Sequence, residues 1–202
     1  GAPLAAVVEV AKGYEALVYV DDAQGAFVRG QSGRGTPEVV GLLPQESFLY
    51  IGTLGKALGC QGGFVVGSQR LMNFLINRAR TFIYSTALAV PVTAAAVAAL
   101  RLLETEPHHR ARLQDRVQTL QARLAGLSLK GAGAASHIVP IVIGSTQRAM
   151  TMATMLNARG CWAPAIRPPT VPEGSARLRL SVTALHTDAQ INTLADALTQ
   201  AL

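Results

Sequence analysis

Two short apolar runs, each broken off by a polar, glycine-rich loop, constrain this sequence more than any other feature. Ala16-Leu-Val-Tyr-Val20 ends at Asp21-Asp22-Ala-Gln24-Gly25, and Ser47-Phe-Leu-Tyr-Ile51 runs on into Gly52-Thr53-Leu-Gly55-Lys56-Ala-Leu-Gly59. Runs of this length, bounded by turn formers, read as buried strands. Residues 25–36 between them form a polar, glycine-rich loop, and a third strand is expected over 63–67. Apolar residues at helical spacing over 4–15, with helices expected over 69–80, 92–104 and 110–124, complete the strand–loop–helix texture of an α/β sheet. Residues 131–136 read as a linker or the approach to a hairpin. A strand over 138–143, a helix over 147–159, strands over 162–166 and 177–182 and a last helix over 188–202 then give a compact α+β pattern. A boundary in the region 85–100 divides the chain into two lobes, set here at 1–90 and 91–202.

Composition removes several classes. Half of the 202 residues are hydrophobic and 15% are charged, too apolar a mixture for a disordered chain. The longest apolar stretch, 87–103, carries Pro91 and Arg101 and reads as a core-facing helix, so no membrane span is expected. The sequence opens at Gly1, with neither a Met nor the basic-then-apolar pattern of a signal peptide, which predicts a fragment or processed product and a cytoplasmic location. A net charge of +6 raises the question of nucleic acid. The basic residues are scattered, however, and Arg110, Arg112, Arg116 and Arg123 suit a solvated helix face, so no nucleic-acid partner is expected. Cys60 and Cys161 lie far apart with no CxxC, which suits neither a zinc site nor a disulfide framework.

In open α/β sheets, ligands gather beyond the carboxyl ends of strands. Asp21 and Lys56 each follow a strand, so a carboxylate and an amine can meet on one rim. Pyridoxal 5'-phosphate (PLP) chemistry uses such a pair: the amine condenses with the cofactor aldehyde, and the carboxylate pairs with the protonated pyridine nitrogen. The chain has three lysines, Lys12, Lys56 and Lys130, and uses arginine for routine charge, so a lysine within a glycine-rich loop calls for a reason. Plainer readings exist. Acidic residues after a strand often cap helices or form turns, and a glycine-flanked lysine by itself is a weak signal. The residues alone leave both readings open.

Asp21-Asp22-Ala-Gln-Gly, Gly33-Arg-Gly35, Thr53-Leu-Gly-Lys56-Ala-Leu-Gly59 with Gly62-Gly63, and Tyr84-Ser85-Thr86 follow one another in an order that resembles the PLP-dependent α-oxoamine synthase family. Ala165-Ile-Arg167-Pro-Pro-Thr170-Val-Pro172, Ala176-Arg-Leu-Arg-Leu180 and Thr183-Ala-Leu-His186-Thr187 continue it, so the resemblance covers nearly the whole chain. It implies the PLP-transferase, aspartate aminotransferase-like fold: the C-terminal part of the PLP-binding large domain over 1–90, then a small α+β C-terminal domain over 91–202. It further implies that Lys56 forms the Schiff base with PLP and removes the substrate α-proton, that Asp21 holds the pyridine nitrogen, and that Thr53 contacts the phosphate. Ser85 and Thr86 would reach the phosphate of the neighbouring subunit's cofactor in a homodimer. Arg167 would bind the amino-acid carboxylate, a bidentate task suited to arginine, with Thr170 on the substrate side. By pattern alone Arg167 reads as a surface arginine before a Pro-Pro turn. His137, His186 and the pair His108-His109 are expected to be structural or solvent-facing.

Within the family, the run 166–172 is most like the biotin-pathway branch, which condenses L-alanine with a pimeloyl thioester of coenzyme A or acyl carrier protein and releases carbon dioxide. Branches that pair glycine with acetyl or succinyl thioesters, or serine with a palmitoyl thioester, are the alternatives, as is a non-catalytic fragment. Two departures stand out. Gln24 occupies the place of a family histidine that hydrogen-bonds the cofactor's phenolic oxygen; glutamine can donate there but cannot carry a proton. The N-terminal portion of the family fold, with further strands, a phosphate-cradling turn and the ring that stacks on PLP, is absent. That absence predicts an exposed sheet edge, weak PLP binding and little or no activity for this chain alone.

Overall fold

A computed structural model describes residues 2–42, 47–127, 131 and 136–202. Most of the expected linker at 131–136 lies outside the described residues. The chain divides into two compact units, Gly1–Pro107 and His108–Leu202. Among the described residues, no helix is long and apolar enough to cross a membrane.

The first unit is a three-stranded sheet with helices. Helix α1 (Leu4–Gly13) buries Leu4 and Val8, one turn apart, against Val18 and Phe48, as its helical apolar spacing requires. Strand β1 (Val18–Asp21) runs parallel to β2 (Phe48–Thr53), and β3 (Gly63–Val66) returns antiparallel to β2, giving the order β1-β2-β3. A short helix α2 (Thr36–Val39), started by Pro37 in its first turn, ends the 25–36 loop. The helix expected over 69–80 is broken: α3 (Gln69–Arg78), capped by the Ser68 hydroxyl on the Leu71 N–H at 3.3 Å, stops before Ala79, whose backbone is extended. Helix α4 (Arg80–Ile83) follows; nothing in the sequence marks the break. Helix α5 (Val90–Thr105) opens with Pro91 near its start and belongs to this first unit, so compactness divides the chain later than residue 90.

The second unit packs helices on one antiparallel sheet. Helix α6 (His108–Leu124) leads to β4 (Ile138–Gly144), α7 (Thr146–Ala158), β5 (Ala165–Ile166), β6 (Ala176–Ser181) and α8 (Asp188–Ala201). The strand order is β4-β6-β5. β6 alternates Ala176, Leu178 and Leu180 inward with Arg177, Arg179 and Ser181 outward, the period-two pattern of a one-sided sheet. Ser145 caps α7, and Thr187 with Gln190 forms a capping box on α8. The strand expected over 162–166 is shorter than that. Pro164 has no N–H to donate, although its carbonyl still accepts from Arg179 N–H at 3.0 Å, and Trp162 stands outside the ladder.

Candidate functional site

Because β1 and β2 are parallel, with Asp21 opposite Ile51, both strands deliver their next residues to the same edge of the sheet. Asp21 is the last residue of β1 and Thr53 the last of β2, and Lys56 follows three residues on. The chain beyond Thr53 is a closed loop. Leu54 N–H donates to the Gly62 carbonyl at 3.0 Å, Cys60 N–H to Leu54 at 2.8 Å, and Gly59 N–H to Lys56 at 3.0 Å. Gly59 makes the turn at φ 63°, where a side chain is disfavoured. The Thr53 hydroxyl closes the base of the loop, donating to the Gly62 carbonyl and accepting from the Gly55 N–H, both at 3.1 Å. Lys56 is thus carried, exposed, at the rim. Among the described residues its amine has no ion-pair or hydrogen-bond partner.

Asp21 accepts the Ala23 N–H at 3.0 Å through Oδ1, an Asx turn that leaves Oδ2 open on the same exposed rim. Gln24 is exposed one residue beyond that turn. Asp22, which the sequence reading left without a role of its own, is buried. Its Oδ2 accepts from the Thr36 N–H at 2.7 Å and the Tyr50 hydroxyl at 3.0 Å, and its Oδ1 accepts from the Thr36 hydroxyl at 2.7 Å. Burial, then the charge and hydrogen bond of Asp22, push the Tyr50 phenol well above its ordinary value. Glu38 gathers the other side of the loop, accepting from the Ser32 N–H, the Ser32 hydroxyl and the Arg34 N–H at 2.8, 2.9 and 2.8 Å. Slight burial works against its ionisation, but these bonds and the Arg34 charge outweigh it and hold the carboxyl below the ordinary glutamate value.

The remaining expected site residues are placed as follows. Ser85 and Thr86 are exposed just after α4, and the Ser85 hydroxyl donates to the Thr81 carbonyl within its own turn. Arg167 and Thr170 belong to the second unit, exposed beyond β5, where the Thr170 N–H donates to the Arg167 carbonyl at 3.1 Å. His186 is structural, its Nδ1 accepting the Thr183 N–H at 3.1 Å. The structure therefore brings Asp21, Gln24, Thr53 and Lys56 to one rim. An unpaired amine and an open carboxylate oxygen at the same edge of the sheet fit a cofactor that carries an aldehyde and a protonated ring nitrogen. Asp22, Thr36 and Tyr50 were missed because they meet across 14 and 28 residues of sequence. The flanking Gly25 and Gly35 were the available signal.

The sequence pattern of the family described as aminotransferase class I and II matches residues 2–198. The chain belongs to that family. Among relatives of this class I and II chain, 8-amino-7-oxononanoate synthase of Anaeromyxobacter dehalogenans (strain 2CP-C) is 43% identical over 201 residues, 100% of this chain and 50% of the relative. The enzyme of the same name from Chromobacterium violaceum is 44% identical over 195 residues, 96% and 50% of the two chains. Solved structures share the fold. Serine palmitoyltransferase from S. paucimobilis, with a bound PLP-myriocin aldimine, superposes with a TM-score of 0.90 at 32% identity over 99% of this chain and 50% of that one. An 8-amino-7-oxononanoate synthase from Francisella tularensis gives 0.83 at 27% identity, over 96% and 57%. The α/β architecture of the PLP-transferase type is thus established, and the chain spans about half the length of the curated relatives it matches.

Proposed function

We propose that this chain supplies the lysine-bearing rim and the small domain of an 8-amino-7-oxononanoate synthase. The reaction is the PLP-dependent condensation of L-alanine with a pimeloyl thioester, on coenzyme A or acyl carrier protein, in biotin biosynthesis. The observation that carries the reading is the placement of Asp21 and Lys56 on one carboxyl rim of parallel β1 and β2; the names of the relatives support the substrates. When bound, PLP supplies an aldehyde for an amine and a protonated ring that takes up an electron pair from the substrate carbon. Lys56 would anchor the cofactor, and its amine would take the proton from the alanine Cα. Asp21 keeps the ring nitrogen protonated through a charge-assisted hydrogen bond worth about 1.5–3 kcal/mol. Thr53 would hold the phosphate, and Gln24 would donate to the phenolic oxygen. Ser85 and Thr86 serve the phosphate in the neighbouring subunit of a homodimer. Arg167 would bind the alanine carboxylate, with Thr170 on the substrate side. A carbon–carbon bond forms between the alanine Cα and the acyl carbonyl carbon as the thiol departs. The alanine carboxylate leaves as carbon dioxide, and a proton replaces it. Residues 1–90 belong to the large domain and 91–202 to the small one. The activity is that of a cytoplasmic protein of the relatives' full length, with neither nucleic acid nor membrane as partner.

Borohydride reduction of the chain mixed with PLP, followed by peptide mapping, tests the reading. Label confined to Lys56 is expected. Label spread over Lys12, Lys56 and Lys130, or none, would sink it for this chain. Gln24→His is expected to change the visible spectrum of the loaded protein; an unchanged spectrum and rate would remove Gln24 from the site. A second reading is favoured by the serine palmitoyltransferase structures that superpose at 0.90: serine and a long-chain thioester at the same rim. Turnover of serine or glycine but not of alanine with pimeloyl thioester would establish it instead.

A further inference from the structure

Among the described residues, Asp22 is the charged side chain that is buried, at 6% exposure, and the reaction outlined above does not use it. All of its polar groups are engaged. Its N–H donates to the Ile51 carbonyl at 2.9 Å, and its own carbonyl accepts from Gly25 and Ala26, each at 2.8 Å. Its carboxylate takes the three bonds from Thr36 and Tyr50. The Thr36 hydroxyl in turn accepts from Arg29 at 3.2 Å, which carries the network across the loop. Two glycines leave room for the carboxylate: a Cβ on Gly25 would lie 2.2 Å from Oδ1, and one on Gly35, at φ +87°, would lie 2.2 Å from Oδ2. Two of the loop's glycines, Gly25 and Gly35, are thus required by Asp22.

We infer that Asp22 is a positioning residue for the rim: its buried carboxylate latches loop 25–36 to β2 and thereby fixes the Asp21–Gln24 turn. The connection is short. The Asp21 carboxylate is held by the Ala23 N–H, and the Gly25 and Ala26 amides, just beyond Gln24, end on the Asp22 carbonyl. Strand alternation sends the two adjacent aspartates to opposite sides, one exposed at the rim and one buried beneath it. A buried carboxylate without donors is costly, so loop and carboxylate hold each other in place. What Asp21 faces, the pyridine nitrogen, rests on the PLP reading; the latch does not.

Hydrogen exchange on the full chain without cofactor, paired with the visible spectrum after adding PLP, tests this. In Asp22→Ala, the amides of Ala23 and Thr36 are expected to exchange about tenfold faster while those of β4 and β6 keep their rates. Asp22→Asn keeps the shape. Its oxygen accepts from the Thr36 N–H and the Tyr50 hydroxyl, and its nitrogen donates to the Thr36 hydroxyl, so near-wild-type exchange is expected. With PLP, Asp22→Ala is expected to shift the pH at which the visible band changes, and Asp22→Asn to restore it. Should Asp22→Ala fail to fold, Tyr50→Phe and Thr36→Val each remove one donor, and each is expected to speed Ala23 exchange about threefold. Wild-type exchange at Ala23 in all of these variants overturns the inference, as does Asn behaving like Ala. Failure of wild type to take label at Lys56 would defeat the PLP reading alone, and the Ala23 exchange rates would still decide the latch.

Discussion

The two units place their apolar residues in opposite ways. In the second, Leu120, Leu124, Val139, Ile141, Met152, Leu156, Leu178, Leu180, Ile191 and Leu198 close into one core drawn from α6, β4, α7, β6 and α8. In the first, the buried cluster is Leu4, Val8, Val18 and Phe48, while Tyr19, Val65, Val66, Phe74, Ile76 and Phe82 are exposed. Among the described residues, the outer strands of both sheets, β1 and β3 in one and β4 and β5 in the other, have an edge without a partner strand, so the difference lies in how the faces are covered. A sheet needs its apolar faces covered and its edges paired or blunted. The second unit covers its sheet with a larger apolar core of its own than does the first, which carries the Asp21–Lys56 rim. The chemistry therefore sits on the less self-sufficient half, in keeping with a chain that spans about half of its curated relatives.

Separating the units at Pro107 should have the largest effect. Residues 108–202 alone are expected to unfold cooperatively, whereas residues 2–107 are expected to bind a hydrophobic dye and to show no sharp transition. A sharp, dye-free transition in the first piece would break the comparison. Next comes Leu178→Ala in the whole chain. Leu178 has no exposed surface and stands on the central strand of its sheet, so the change should cost about 2–5 kcal/mol. The denaturant midpoint, followed by far-ultraviolet circular dichroism, measures the loss. Val65→Thr, at a position 42% exposed on β3, should cost about 0.5 kcal/mol or less. Equal costs at the two positions would show that the first unit buries more than its surface suggests.

The features legible in the sequence were the local ones. The strand-to-loop boundaries at Asp21 and Thr53 follow from apolar runs ending in turn formers, and so the rim could be drawn before the fold was known. The α6 and α8 helices were equally plain from spacing. Asp22 was not, since a second aspartate after a strand looks like a turn former until Tyr50 and Thr36 are brought to it by the sheet and the returning loop. The shortened β5 could have been anticipated, because Pro164 cannot extend a ladder, but a run of apolar residues around it argued for a longer strand. The break at Ala79 has no local marker.

The smallest effect expected sharpens the same contrast by asking how much of the second unit's stability is electrostatic. Arg116 pairs with Asp188 and Arg123 with Asp196 at 2.6 Å, two ties between α6 and α8. Arg123 lies in the last turn of α6, where a positive charge also suits the helix dipole. Yet the Arg123 and Asp196 side chains are 45% and 61% exposed, so water and salt screen their attraction. A double-mutant cycle of Arg123→Ala and Asp196→Ala should give a coupling of about 0.2–1 kcal/mol that shrinks in high salt. A coupling that matched the loss at Leu178 would mean that ion pairs rather than the apolar core hold α6 and α8 together. The contrast between the units would then be one of charge, and not of buried surface.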